Sequence, residues 1–131
     1  MIFIDSSALL AIVQVDDIDH LLAKQQWMNL LNANETLYTN NYVVVESIAI
    51  IQKRSGLNVL KKLQSNILEL VGIDWVDEGQ HSQALKTVFE LNHRRLSLVD
   101  CTAFQTMRRL GIETAFTFDT HFREEGFNTI P

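Results

Sequence analysis

Ile2-Phe3-Ile4-Asp5-Ser6-Ser7-Ala8-Leu9-Leu10 decides how the rest of this chain is read. Three apolar residues, β-branched or aromatic, make a short buried strand that a carboxylate ends abruptly. Ser6 and Ser7 then offer capping hydroxyls to a helix over 8–13. The same sequence of events recurs near the other end, where Ala115-Phe116-Thr117-Phe118 runs into Asp119. Two further acids sit among apolar neighbours. Glu46 divides Tyr42-Val43-Val44-Val45 from Ile48-Ala49-Ile50-Ile51, and Asp100 stands between Leu96-Ser97-Leu98-Val99 and Cys101-Thr102-Ala103-Phe104. An ionised carboxylate buried without a partner is costly. No Lys or Arg lies within three residues of Asp5, Glu46 or Asp100. A divalent cation is the simplest common partner for all four acids, since Mg²⁺ and Mn²⁺ prefer oxygen ligands.

Outward from these points the chain alternates between strand and helix. Expected strands cover 2–5, 37–39, 70–76, 114–118 and 127–130. Expected helices cover 8–13, about 21–33, 42–55 with Asn40 or Asn41 as cap, a segment from Asn58 through Leu68, one opened by Asp77-Glu78, and one from Ser97 to Leu110. Gly56 and Gly111 follow helix ends, where the left-handed conformation is needed. Strands alternating with helices predict an α/β fold with a parallel sheet and helices on both faces. Ligands of such sheets bind beyond the carboxyl ends of the strands, where the strand order reverses.

With 131 residues, 47% of them hydrophobic, residues 1–131 read as one domain. A domain of this size buries roughly two thirds of its unfolded surface, so it needs no disulfide. The single Cys101 fits a reducing cytoplasm and reads as a small packing residue. No apolar window approaches the ~18 residues of a membrane span, and the start of the chain does not resemble a signal peptide. A formal charge of −5 argues against a general nucleic-acid binder. The basic residues are nevertheless paired, as Lys53-Arg54, Lys61-Lys62, Arg94-Arg95 and Arg108-Arg109. Of these, Arg94 and Arg95 lie nearest in sequence to an acid of interest and are the candidate phosphate contacts.

Phosphodiester hydrolysis needs an activated water, a neutralised phosphate and a stabilised leaving oxygen, and cations held by carboxylates supply all three. The chain has no Gly-rich phosphate loop, no nucleophile elbow and no zinc-like His spacing. Each acid also has a structural reading. Asp5 can cap the first helix, Glu46 can face solvent, Asp100 lies three residues after Ser97 as in a capping box, and Asp119 can hold a turn. Asp74 and Asp77 read as a strand end and a helix cap, and His121 reads as structural.

Four segments together resemble a known family. They are residues 3–10, Tyr38-Thr39-Asn40-Asn41-Tyr42-Val43-Val44-Val45-Glu46, Leu96-Ser97-Leu98-Val99-Asp100-Cys101-Thr102 and Thr117-Phe118-Asp119-Thr120-His121-Phe122. In order and spacing they resemble the PIN-domain ribonucleases, of the kind found as VapC toxins of toxin–antitoxin pairs, over essentially the whole chain. The resemblance implies a five-stranded parallel sheet in the order 3-2-1-4-5, which sets the strands ending in Asp5 and Asp119 side by side. It also implies that Asp5, Glu46, Asp100 and Asp119 form the catalytic, metal-binding cluster, with Asp5 and Asp100 as principal Mg²⁺ or Mn²⁺ ligands. Ser7 matches a small hydroxyl residue placed to bond an acid or a substrate phosphate.

The implied function is that of a cytoplasmic Mg²⁺/Mn²⁺-dependent endoribonuclease hydrolysing RNA with a cation-activated water. Its implied partners are RNA, a cognate antitoxin protein and a second copy of the chain. The alternatives are a non-catalytic PIN-fold module that binds RNA or protein, and a housekeeping RNA-processing nuclease. A phosphatase or receiver domain would also place acids at strand ends, but would need a Lys and a hydroxyl that no motif here supplies.

Overall fold

The structure, a computed structural model, describes residues 1–131. Its centre is β1 (Ile2–Ile4), three buried apolar residues with a parallel neighbour on each side. One neighbour is β2 (Leu37–Asn40) and the other is β4 (Thr114–Phe116), with β3 (Gly72–Asp74) and β5 (Asn128–Ile130) at the edges. The order is therefore 3-2-1-4-5, as the resemblance implied, and the chain reverses direction across the sheet between β1 and β4. Ile4 lies opposite Phe116, so Asp5 and Thr117 leave the sheet at the same level.

Seven helices flank the sheet: α1 (Ser6–Val13), α2 (His20–Asn32), α3 (Asn41–Ser55), α4 (Leu57–Lys62), α5 (Glu78–Leu91), α6 (Leu98–Leu110) and α7 (His121–Glu124). α1 packs on α2 and α3, and α6 packs on α3 and α5. Phe3, Ile4, Leu9, Phe104, Met107, Phe116 and Phe122 form the middle of one continuous core. No helix is long and apolar enough to cross a membrane.

Several sequence expectations shift for identifiable reasons. The first helix starts at Ser6, not Ala8, and its cap residue is Asp5, whose carboxylate makes no capping bond. The third strand was expected over 70–76 but spans Gly72–Asp74. β2 can pair with it only as far as Asn40, and beyond it the Val76 amide donates to Asn41 Oδ1 at 2.6 Å. The fourth strand was expected to reach Phe118 but ends at Phe116, because the Phe118 amide donates to Ser7 Oγ at 3.0 Å.

The helix expected from Asn58 to Leu68 is α4 followed by a wide turn over Leu63–Ile67 and a tight one over Leu68–Leu70. In the wide turn the Leu68 amide reaches Leu63 O, five residues back, which suits two buried leucines at that spacing. The helix from Ser97 to Gly111 stands as read, with Gly111 at φ 70°. α7 is too short to leave a periodic signal and was not expected.

Candidate active site

Asp5 is the deepest group of the site, with 3% of its surface exposed. Its Oδ2 accepts hydrogen bonds from Ser7 Oγ at 2.8 Å and Thr117 Oγ1 at 3.0 Å. Burial pushes its pKa above the ordinary 3.8, and the nearby Asp100 charge adds to the rise; the hydroxyl and Ser6 backbone bonds oppose it without cancelling it. Asp100 stands in the first turn of α6. Its Oδ2 accepts from the Ser97 amide at 3.0 Å, while Ser97 Oγ accepts from the Asp100 amide at 3.1 Å. The capping-box reading of Asp100 is thus correct, and it coexists with a place in the acidic cluster. Burial raises the Asp100 pKa too, with Asp119 contributing, against the opposing Ser97 bonds and His121.

Asp119 follows β4. Its Oδ1 accepts from the His121 amide at 2.9 Å and lies 3.2 Å from His121 Nδ1. That second approach is close but not aligned as a hydrogen bond, so the buried Nδ1 has no partner. One oxygen each from Asp100 and Asp119 and one ring nitrogen of His121 lie within 4.8 Å of one another. The two carboxylate oxygens suit either Mg²⁺ or Mn²⁺, and the ring nitrogen beside them tips the set toward Mn²⁺, since Mg²⁺ prefers oxygen ligands. A small closing movement would bring them to one ion, since neighbouring ligands about 2.1 Å from a metal sit about 3 Å apart. The residues present therefore fit a divalent cation.

Of the four acids of the sequence reading, the structure brings Asp100 and Asp119 together; Asp5 is buried within reach of the Asp100 charge, and Glu46 is half-buried on α3. Glu46 walls a recess together with Val99, the neighbour of Asp100, and like Asp5 it lies outside the group within 4.8 Å. Ser7 bonds an acid: besides Asp5 it lies 3.2 Å from Thr117 Oγ1 and accepts the Phe118 amide.

Three residues were missed or under-read. Thr117 ties Asp5 to the Asp119 amide, which donates to its Oγ1 at 3.0 Å; a hydroxyl between Phe116 and Phe118 was the available signal. His121 read as structural, yet it sits in the cluster. Asn40, read only as a cap, does accept the Val43 amide at 2.9 Å; its Nδ2 also donates to Thr102 and Thr106 of α6, at 3.3 and 3.2 Å.

Of the basic pairs, Arg108 is engaged by Glu125 and Arg109 by Asp74. Arg94 and Arg95 are exposed and unpaired in the turn before α6. That turn is close to the cluster, for the His93 ring meets the His121 ring edge-on at 5.8 Å. On the other side, a recess of about 210 Å³ runs past Thr117, Asp119, Thr120 and Arg123 to Leu22 of α2.

Known proteins are similar to this chain in sequence and fold. The chain is 29% identical over 128 residues to the 23S rRNA-specific endonuclease VapC20 of Mycobacterium tuberculosis, covering 97% of this chain and 95% of that one. The crystal structure of M. tuberculosis VapC20, described as a Sarcin-Ricin loop cleaving toxin, superposes with a TM-score of 0.84 at 28% identity, over 97% of this chain and 96% of the other. FitAcB from Neisseria gonorrhoeae shares the fold at 17% identity and a TM-score of 0.68, over 100% of this chain and 97% of the other. The PIN domain model matches residues 2–128, and the chain belongs to the PIN domain family.

Proposed function

We propose that this protein is a Mg²⁺- or Mn²⁺-dependent endoribonuclease that hydrolyses RNA phosphodiester bonds, and that it acts in the cytoplasm as the toxin of a toxin–antitoxin pair. The observation that carries this reading is the convergence of Asp100, Asp119 and His121, with the buried Asp5 within reach of the Asp100 charge at the end of β1, in a PIN-family chain. The likeness to a ribosomal RNA endonuclease supports it and makes 23S rRNA the first substrate to test. Asp5 and Asp100 would be the principal ligands of the cation, with Asp119 and Glu46 completing the set directly or through water and His121 adding a ring nitrogen beside Asp100 and Asp119. When bound, a divalent cation neutralises the scissile phosphate and makes water a better nucleophile. Asp5 is held in place by Ser7 and Thr117. Burial makes Asp5 and Asp100 hold protons more tightly than free carboxylates, so a cation that takes them as ligands must displace those protons.

Purified protein is expected to cleave 23S rRNA in Mg²⁺ or Mn²⁺ and to stop in EDTA, leaving 5′-phosphate and 3′-hydroxyl ends. A 2′,3′-cyclic phosphate would make the RNA 2′-hydroxyl the nucleophile and sink the hydrolytic mechanism. His121→Ala is expected to weaken Mn²⁺ binding roughly 10- to 100-fold by titration calorimetry. Unchanged affinity would restrict His121 to positioning Asp119.

Arg94 and Arg95 are the proposed phosphate contacts. Replacing both with Ala should lower the slope of log affinity against log salt by about 1.4, the value for two contacts on single-stranded RNA. An unchanged slope assigns the pair to the solvated surface.

For the antitoxin, the helices around Leu21–Leu31 and Tyr42–Ile51 are the candidate walls of an apolar groove. Trp27 and Leu30 are in the core, whereas Leu21, Leu22, Val15 and Ile18 are exposed beside Asp16, Asp17 and Asp19. The proposed contact is therefore the start of α2, from which Leu22 leads to Asp119. A basic residue of the partner would meet the acids there. A two-fold homodimer remains part of the proposal. Growth arrest on expression, relieved by co-expression of a cognate antitoxin and absent for Asp5→Ala, is the cellular test. Harmless wild-type protein with activity in vitro would favour RNA processing.

A further inference from the structure

Between the first turns of α3 and α6 lies a recess of about 370 Å³, lined by Asn41, Tyr42, Val45 and Glu46 of α3 and by Val99 of α6. We propose that it takes an unstacked nucleobase of the RNA substrate, beside the scissile phosphate, with the Tyr42 ring as stacking surface. The proposal rests on the ribonuclease reading and adds a specificity pocket to it.

Position favours a base. Glu46, one of the four proposed acids, lines the recess, and Val99, which lines it too, directly precedes Asp100 of the cluster. A phosphate held at Asp100 and Asp119 would therefore have a neighbouring base at the mouth of the recess. Chemistry favours it as well. Apart from Glu46 the walls are uncharged, and the flat, weakly polar part of RNA is the base. Tyr42 is held in place: its hydroxyl is hydrogen-bonded to His81 Nδ1 and the two rings lie 5.7 Å apart. A pre-positioned aromatic side chain loses little freedom on binding. The Asn41 amide is oriented too, because Oδ1 takes the Val76 amide and leaves Nδ2 to donate to a base edge. Splayed bases stacked on aromatic rings and read at their edges are the usual route to sequence-specific RNA recognition.

The probe is an oligoribonucleotide spanning the cleavage site mapped in total RNA, with 2-aminopurine placed singly at each position. Binding to Asp100→Asn protein is expected to change the emission at one position next to the scissile bond. Tyr42→Ala, and Val45→Trp to fill the recess, should each abolish that change in this background. In the otherwise wild-type enzyme each should raise KM about ten-fold while leaving Mn²⁺ affinity unaltered. Tyr42→Phe should retain both signals, since it keeps the ring. Val45 is 64% exposed, so its replacement does not test the core. Unchanged emission and KM in Val45→Trp and Tyr42→Ala would overturn the proposal, and would assign the recess to a protein partner if either variant escaped an inhibitor. Total RNA left intact by wild-type protein in Mn²⁺ would instead remove the ribonuclease reading, and the pocket with it.

Discussion

Asp100→Asn is expected to lower RNA cleavage roughly 10³-fold, in line with several kcal/mol of lost transition-state stabilisation, while the protein stays folded. The fold survives because the amide oxygen of Asn can still accept the Ser97 amide and keep the cap of α6. Cleavage fails because the charge that neighbours Asp119 and His121 is gone. The same variant should gain stability in EDTA, and pH gives the signature. Burial holds the folded-state pKa of Asp100 above 3.8, so the folded state binds its proton more tightly than the unfolded state. The stability this contributes is complete below the unfolded value and is lost as pH rises through the folded one. The melting temperature of Asp100→Asn should therefore exceed that of wild type by a margin that is smallest in acid and widens toward neutral pH. Calorimetry in EDTA reads it directly. A variant that unfolds would show that the cap, and not the cluster, is what the carboxylate is for.

The largest expected loss of stability comes from Asn40→Ala, about 3 kcal/mol, combining a helix cap with buried hydrogen bonds. Asn40 is wholly buried where β2 passes into α3, and it joins that corner to Thr102 and Thr106 on the helix that carries Asp100. Thr102 keeps its bond to Val99 O at 2.7 Å, which limits the damage to α6 itself. The melting temperature should fall by about 10 °C for a chain of this size. A loss below about 1 kcal/mol would reduce Asn40 to an ordinary cap.

The sequence reading succeeded where the signal is local. Ser97 and Gly111 bound α6 at both ends, Asp77 caps α5 and Asp74 ends β3, all as expected. Strand lengths were overestimated because hydrophobic runs such as Leu70–Val76 continue beyond the last ladder bond, and only the neighbouring strand determines where pairing stops. Asp5 and Asp119 were visible as charges ending apolar runs. The 3-2-1-4-5 order that makes them neighbours came from the resemblance of four spaced segments, since composition and periodicity do not encode strand order. Thr117 and His121 were obscured for a further reason. A threonine just past a strand and a histidine opening a four-residue helix are unremarkable until β4 lies against β1, and then Thr117 bonds Asp5 and His121 meets Asp100 and Asp119.

The bond from Thr117 to Asp5 spans 112 positions of sequence. In folding terms this is a late event, because a contact so distant along the chain forms only after most of the intervening loop entropy has been given up. Synthesis supplies Asp5, Glu46 and Asp100 well before Thr117, Asp119 and His121 exist. A nascent chain that has not reached β4 therefore carries most of the acids without an assembled site. The acidic site is complete only when the central strand gains its second neighbour, so any activity it carries has to wait for that moment.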